Sequence, residues 1–407
     1  MHCGLLGRKL GHSHSPAIHS LLGDYDYALF EVEPDELEQF FKKEQFDCIN
    51  VTIPYKKAVI NFCSKLSDTA KRLGSVNTII RDHDGNWIGH NTDYFGFRYM
   101  LNKSGIPVQN KKVLVLGSGG ASQTVCAVLK ELQANTVIIS RSGADNYSNI
   151  SRHKDASLIV NTTPVGMYPN NCESPVDLSV FPNLEGVLDL IYNPANTALL
   201  MQAKARGLIA ANGLWMLVAQ AKESAEWFTG KAIDDAVIDK IYSSISKATR
   251  NIILIGMPGS GKSTIGKLIA AASGKEFMDS DSEIEKQAGL TCSEIICKYG
   301  EDRFRAMETS VLEQLGKRTG VVIATGGGCV TRDHNLPLLQ QNGAIYWLQR
   351  DISLLSTDGR PLSQAHSLDR MYQIRKPMYE KFADFSVENQ DDVHQVVEII
   401  LNQEALI

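Results

Sequence analysis

Two glycine-rich stretches of this 407-residue chain have the residue types and spacing to hold phosphate. GMPGSGKST, residues 256–264, fits G-x-x-x-x-G-K-[ST] and follows the apolar run NIILI. A strand that enters such a loop and then a helix aims backbone N–H groups at an anion. Gly259, Ser260, Gly261 and Thr264 belong to that cradle, Lys262 is placed to reach the β- and γ-phosphates of ATP, and Ser263 to ligate Mg²⁺. The other stretch, VLVLGSGGAS at 113–122, carries Gly117, Gly119 and Gly120, with Ser122 where the third glycine or alanine of a dinucleotide fingerprint falls. The next apolar run, TVIIS at 136–140, leads into Arg141 rather than an acid. An acid there would accept from a ribose 2′-hydroxyl, whereas a guanidinium suits a 2′-phosphate, so NADP(H) is expected over NAD.

Other clusters could handle protons and carboxylates. EFMDSDSEIE (276–285) spaces Asp279 and Asp281 at i and i+2. Asp279 could support Mg²⁺ and Asp281 could take a proton from a hydroxyl; a helix-capping pair is the other reading. GEDRFRAMET (300–309) groups Arg303, Arg305 and Glu308 within about a helical turn, which would also suit a solvated face. TGGGCV (325–330) allows backbone to approach a ligand closely. Arg360 lies in DGRPL, and Arg375 lies just before a proline in IRKPMYEKFAD. In the first half, GHSHSP offers Ser13 and Ser15 at the end of a short strand, NVTIPYK offers Asn50, Thr52 and Lys56, and GSVNTI and GHNTDYFGF add Asn77 and Asp93.

The elements that must position these residues follow from periodicity. Apolar runs without alternation, at 112–117, 136–140, 158–163, 186–191, 251–256, 320–325 and 344–349, are separated by helical patterns. That pattern predicts parallel sheets covered on both faces. The join between halves is expected in DKIYSSISKATRN, 239–251, with the polar SSISKATR as a short linker. The first 90 residues read as an α/β segment, and the helix at 212–230 is expected to return to it, so that a dinucleotide domain is inserted into a discontinuous substrate domain. Only about 20 residues separate Arg141 from Asn161, which leaves the dinucleotide domain one βα unit short.

With 43% hydrophobic residues, 21% charged residues and a net charge of -5, the chain reads as globular protein, not a binder of nucleic acid. It has no apolar run of about 18 residues for a membrane span. The opening MHCGLLGRKLGHSHSP lacks an apolar signal core, and the eight cysteines form no CxxC pair, so reduced thiols and a cytoplasmic location are expected. Small-molecule substrates are the expected partners, and oligomeric state stays open.

Taken in order, the motifs of 250–407 resemble shikimate kinase: GxxGxGKST, DxD, FR-x-x-E, GGG, RPL and R-x-P-x-Y-x-x-x-A-D. The resemblance implies that Asp281 holds substrate ring hydroxyls. It implies that Arg305 and Arg375 bind a carboxylate, with Glu308 positioning them and Gly327 in contact, and that Arg360 closes over the transferring phosphoryl group. A different small-molecule kinase, of the gluconate type, is the alternative for this half.

Residues 1–245 resemble shikimate dehydrogenase, through the stretches above with NTTPVGM (161–167), DLIYNPANT (189–197) and NGLWMLVAQA (212–221). The resemblance implies that Ser13, Ser15, Thr52, Asn77 and Gln220 hydrogen-bond substrate with Tyr192 nearby, and that Lys56 and Asp93 are the catalytic pair. It implies dinucleotide contacts from Gly117, Ser118, Gly119, Gly120, Ala121, Ser140, Arg141, Ser142 and Gly213. A catabolic quinate/shikimate enzyme using NAD, or a half reduced to sensing, are the alternatives. The fold expected is α/β: a substrate domain (1–95 with 212–245), a Rossmann-like NADP domain (96–211) and a P-loop kinase domain with a parallel sheet (250–407). The implied steps are NADPH reduction of 3-dehydroshikimate and ATP phosphorylation of the shikimate 3-hydroxyl.

Overall fold

The computed structural model describes residues 1–11, 13–355, 368–389 and 392–406. The chain divides into two compact units, Met1–Tyr192 with Leu199–Ile245, and Asn193–Ala198 with Ser246–Ile407.

The first unit holds two sheets. In one, β1 (His2–Gly7), β2 (Asp26–Glu31), β3 (Cys48–Val51), β4 (Lys65–Leu66), β5 (Thr78–Arg81) and β6 (Trp87–His90) are ordered β2-β1-β3-β5-β6-β4. β1 runs parallel to β2 and β3, but β5 is antiparallel to both β3 and β6. The turn between β5 and β6 is tied by Asp82, whose Oδ1 accepts from the N–H groups of Asp84 and Asn86, with Gly85 at φ 83°. This mixed sheet is a refinement of the α/β segment expected from sequence.

The other sheet is fully parallel: β7 (Lys112–Leu116), β8 (Asn135–Ile139), β9 (Leu158–Asn161), β10 (Gly186–Asp189) and β11 (Ile209–Ala211), ordered β11-β10-β9-β7-β8. Burial on both faces explains why β7 is apolar from Val113 to Leu116. Val113 and Val115 enter one core cluster, and Leu114 and Leu116 the opposite one. Between β8 and β9 the only helical turn is the 3₁₀ segment Ile150–His153, so the expected missing βα unit is missing.

The second unit repeats the logic with β12 (Asn251–Ile255), β13 (Glu276–Asp279), β14 (Val321–Ala324), β15 (Gly343–Gln349) and β16 (Phe385–Glu388), all parallel, ordered β13-β14-β12-β15-β16. Ile253 and Ile255 face one core, Ile252 and Leu254 the other. In both parallel sheets the chain leaves the strand before a glycine loop to one side and then returns past it to the other, from β7 to β8 and back to β9, and from β12 to β13 and back through β14 to β15. That places each loop at a crevice beyond the strand ends, where α/β sheets bind ligands.

The expected linker is not there. Residues Ala236–Thr249 form one helix, ending just before β12. Ile238, Ile241 and Ile245, spaced for one helix face, are buried. Lys275 Nζ then donates to the carbonyls of Lys247, Ala248 and Arg250, satisfying groups at the helix end. Among the described residues, no helix is long and apolar enough to cross a membrane, and all eight cysteines are free thiols.

Candidate active sites

A cavity of about 940 Å³ in the first unit gathers Ser13, Ser15, Thr52, Lys56, Asn77, Asp93, Tyr192 and Gln220 on its wall. Thr52 follows the last residue of β3 and Asn77 precedes the first of β5, so two strand ends aim them into one crevice. Asp93 opens the helix Asp93–Ser104, and Gln220 lies on the helix Leu214–Thr229. These helices touch at Gly96, where an added Cβ would lie 2.7 Å from Met216 O and 2.9 Å from Gln220 Cβ. The close approach that glycine permits brings Asp93 and Gln220 to the same wall. Lys56 Nζ donates to Asp93 Oδ2 at 2.6 Å, with the side chains 30% and 14% exposed.

Ser13 and Ser15 also reach this cavity, but from a different element than expected. β1 ends at Gly7, and Ser15 is the first residue of the helix Ser15–His19. Ser13 Oγ accepts from Ser15 N at 3.2 Å. Pro16 suits the start of a helix, which explains why the SHSP run leaves the strand. The Tyr192 hydroxyl is held above its ordinary pKa by burial.

The loop after β7 fits a dinucleotide diphosphate. Gly117 has φ 104°, and a Cβ there would lie 2.8 Å from Thr162 Oγ1. At Gly119 and Gly120 a Cβ would meet nothing within 4 Å, and the helix Gly120–Glu131 has no side-chain cap. Its first N–H groups are therefore available to an anion. Ser118 and Ala121 are exposed there, and Ala121 reaches the cavity wall. Gly213 also lines the cavity; a Cβ would lie 2.0 Å from Leu190 O, so packing demands glycine. Arg141 and Ser142 are exposed beyond β8, and Ser140 N donates to Asp145 O at 3.2 Å.

In the second unit a cavity of about 510 Å³ gathers Gly259, Gly261, Lys262, Ser263, Thr264, Asp279, Asp281, Arg305, Gly327 and Arg375. Gly256, Gly259 and Gly261 have φ of 147°, 85° and 90°. The helix Lys262–Ser273 has no side-chain cap, and this uncapped end fits nucleotide phosphate. Lys262 Nζ donates to Gly256 O and Met257 O, both at 2.9 Å. Ser260 is the exception among the expected cradle residues. It is fully buried, its N–H donates to Met257 O, and its carbonyl accepts from Asn389 Nδ2 at 2.7 Å. Arg360 lies outside the described residues.

The two aspartates of DSD stand in different surroundings. Asp279 is the N-cap of the helix Ser280–Ala288: Oδ1 accepts from Asp281 N and Ser282 N, while Oδ2 accepts from Ser263 Oγ at 2.6 Å. Ser263 and Asp279 thus form a pair of hard oxygen donors beside the phosphate loop. Asp281 instead points inward. Burial, then the neighbouring Asp279, pushes its carboxyl up to about 6 against the pull of Lys262 and Arg305.

Arg305 and Glu308 are buried on the helix Glu301–Gly316, with Arg305 Nη1 donating to Glu308 Oε2 at 2.8 Å. Burial raises Glu308 to about 7 despite that guanidinium. Arg303 is exposed and takes no part. Arg375 Nη1 donates to Gly327 O at 3.2 Å. The third glycine of GGG has its own reason: a Cβ on Gly328 would lie 2.2 Å from the Arg305 guanidinium.

Sequence reasoning missed the supporting residues. Asn389 holds the phosphate loop from 129 positions away, and Thr78, Thr92 and Ser224 sit buried behind Asn77. Thr78 and Thr92 adjoin expected site residues and Ser224 and Asn389 are remote in sequence, but none of the four carries a motif of its own that could have marked it.

An oxidoreductase unit built on a dinucleotide cradle is thus joined in one chain to a phosphotransferase unit built on a nucleotide loop. Residues 5–79 match the family model of the shikimate dehydrogenase substrate binding domain, and residues 258–404 that of shikimate kinase. The chain is 34% identical over 266 residues to shikimate dehydrogenase (NADP(+)) of Clostridium perfringens, covering 60% of this chain and 97% of the relative. Among solved structures it is similar to a chorismate mutase/shikimate 5-dehydrogenase fusion protein from Clostridium acetobutylicum, with 37% identity, TM-score 0.58, and 60% and 97% of the two chains covered. It is also similar to shikimate 5-dehydrogenase from Thermus thermophilus in complex with NADP(H) and shikimate, with 30% identity, TM-score 0.55, and 60% and 98% covered. Over its N-terminal 60% the chain belongs to the shikimate dehydrogenase family, and it carries a shikimate kinase domain in its C-terminal region. It is a bifunctional shikimate-pathway enzyme that uses NADP in one unit and ATP in the other.

Proposed function

We propose that the first unit reduces 3-dehydroshikimate to shikimate with NADPH, and that the second phosphorylates the shikimate 3-hydroxyl with ATP. The observation that carries the reading is the 2.6 Å contact between Lys56 Nζ and Asp93 Oδ2 on a cavity wall that also carries the hydroxyls of Ser13, Ser15 and Thr52 and the amides of Asn77 and Gln220. Bound NADPH supplies a hydride to the ketone carbon. Lys56 donates a proton to the oxygen as negative charge develops there, and Asp93 orients the ammonium. Ser13, Ser15, Thr52, Asn77 and Gln220 hydrogen-bond the ring substituents, with Tyr192 beside them. Gly117 to Ala121 receive the diphosphate, and Arg141, with Ser140 and Ser142, the 2′-phosphate. The dinucleotide part is assigned to 96–211 and the substrate part to 1–95 with 212–245.

In the second unit bound ATP supplies the phosphoryl group, with Mg²⁺ held by Ser263 and Asp279. Lys262 neutralises phosphate charge. Asp281 accepts the proton of the attacking hydroxyl, and Arg305 and Arg375 hold the carboxylate by charge-assisted hydrogen bonds. Arg360, outside the described residues, is assigned to the transferring phosphoryl group.

The test supplies 3-dehydroshikimate, NADPH, ATP and Mg²⁺ to the whole protein. NADPH oxidation followed by shikimate 3-phosphate is the expected result. Shikimate without its phosphate would remove the kinase assignment, and no NADPH oxidation would remove the reductase assignment.

A further inference from the structure

Among the described residues, four cationic side chains line the cavity of about 510 Å³ in the second unit: Lys262, Arg305, Arg350 and Arg375. Three of them already have partners within the protein. Lys262 Nζ donates to Gly256 O and Met257 O. Arg305 donates to Glu301 and Glu308. Arg375 donates to Gly327 O. Arg350 differs. Among the described residues its guanidinium has no hydrogen bond and no ion pair, and its Nε is shut off from water with no acceptor. An N–H removed from water without a new acceptor costs free energy, and an arginine cannot escape that cost by losing its charge. A bound ligand that brings oxygens to this side chain removes it.

The backbone fixes which part of the cavity Arg350 serves. β15 runs parallel to β12, with Trp347 opposite Ile255. Beyond that pair the two chains stay close: a Cβ on Gly256 would lie 2.6 Å from Leu348 O. The next residue, Gln349, accepts through its carbonyl from Asn389 N at 2.7 Å, and Asn389 Nδ2 donates to Ser260 O at 2.7 Å. Leu348, Gln349 and Asn389 thus hold the phosphate loop at its start and its middle, and Arg350 follows directly. The two arginines assigned to the carboxylate stand at the GGG turn instead, Arg305 against Gly328 and Arg375 on the Gly327 carbonyl.

We infer that Arg350 binds the phosphate chain of the nucleoside triphosphate. The Nε and Nη donors of a guanidinium match two oxygens of a phosphate, and a cation here adds to the charge that Lys262 brings from the loop. Arg350 belongs to none of the motifs read from the sequence. Its orphaned Nε decides against the base as the partner. A guanidinium lying flat on a purine gains a stacking contact but leaves Nε without an acceptor, whereas phosphate oxygens fill it. The inference rests on the reading of this unit as an ATP-dependent kinase, and it adds a phosphate contact from outside the G-x-x-x-x-G-K-[ST] loop.

The test uses the full chain as Arg350→Met, which keeps an unbranched stem and removes the donors, and as Arg350→Lys, which keeps the charge. Calorimetric titrations with ATP and Mg²⁺, with inorganic tripolyphosphate and with adenosine are paired with kinase kinetics. In Arg350→Met the Kd for ATP and for tripolyphosphate should rise roughly ten- to a hundred-fold, the scale of a hydrogen bond to a charged group. The Kd for adenosine and the KM for shikimate should change less than about three-fold, because neither ligand meets the lost donors. Arg350→Lys should fall between the parent and Arg350→Met. Melting of the second unit without ligands should not drop in either variant, since the side chain gives up no partner there. An unchanged Kd for ATP in Arg350→Met would overturn the inference. So would a weakened adenosine complex with tripolyphosphate unmoved, which would put Arg350 on the base, and a rise confined to the KM for shikimate, which would put it on the carboxylate. If the parent binds ATP but does not phosphorylate shikimate, the substrate reading falls and the ATP titrations still decide for or against Arg350. If the parent binds no ATP, both fall.

Discussion

Asp281 and Glu308 direct unpaired carboxylate oxygens into one small space: a Cβ on Gly326 would lie 2.6 Å from Asp281 Oδ1 and 2.7 Å from Glu308 Oε1. Burial raises both acids and Asp281 adds to the rise of Glu308, while Arg305 pulls both down. The first glycine of GGG is what leaves the space open.

Gly326→Ala should therefore damage the kinase alone. The methyl group must displace one of the carboxylates, an overpacking cost of about 1–3 kcal/mol. Shikimate phosphorylation should fall at least about ten-fold with reduction of 3-dehydroshikimate unaffected. Wild-type phosphorylation in Gly326→Ala would show that the two acids need not stand where they do.

The same pair gives the kinase a pH signature. Asp281 can accept a proton only as carboxylate, so kcat/KM for shikimate should fall below about pH 6, following its raised value. Asp281→Asn should lose roughly 10²–10⁴ of turnover and leave ATP binding intact, because Lys262 and the loop are untouched. Stability should run the other way. The folded values of about 6 and about 7 exceed the ordinary 3.8 and 4.5. Their contribution is then full below the ordinary values and lost as pH rises through the folded ones. Melting of the second unit without ligands, compared between about pH 5 and about pH 8, should show a smaller difference in Asp281→Asn than in the parent.

Lys56→Met keeps the length of the side chain and removes the proton donor. Reduction should drop roughly 10²–10⁴, the scale of a general acid, with shikimate phosphorylation retained. Parallel loss of both activities in a folded protein would argue against separate sites.

Arg141→Asp exchanges a cation for an anion at the expected 2′-phosphate. The NADPH/NADH ratio of kcat/KM should fall roughly 10- to 100-fold, mostly through NADPH. An unmoved ratio would mean that Arg141, exposed beyond β8, does not read the phosphate.

Arg375→Ala should raise the KM for shikimate in the kinase assay more than it lowers kcat, since a carboxylate contact serves substrate and transition state alike. Equal loss in kcat and kcat/KM would instead assign Arg375 to the transition state, through the Gly327 carbonyl it holds at 3.2 Å.

The local part of this protein was legible residue by residue. All seven apolar runs became parallel strands, because a strand buried on both faces must be apolar at every position, a signal that needs no partner to be seen. The two glycine loops were legible because cradling phosphate requires particular backbone angles and glycine at particular positions. What the sequence could not decide were contacts between distant segments. The polar run at 243–250 read as a linker, yet it is mostly helix, because isoleucines one and two turns earlier are buried and Lys275 closes the helix end. DSD held two chemistries in two identical side chains, and only packing decided that Asp279 caps a helix while Asp281 is buried beside Glu308. Thr78, Ser224 and Asn389 had no pattern at all. A hydroxyl or amide acquires a direction only when tertiary structure brings a backbone N–H or carbonyl against its partner, and that geometry is a property of the folded chain.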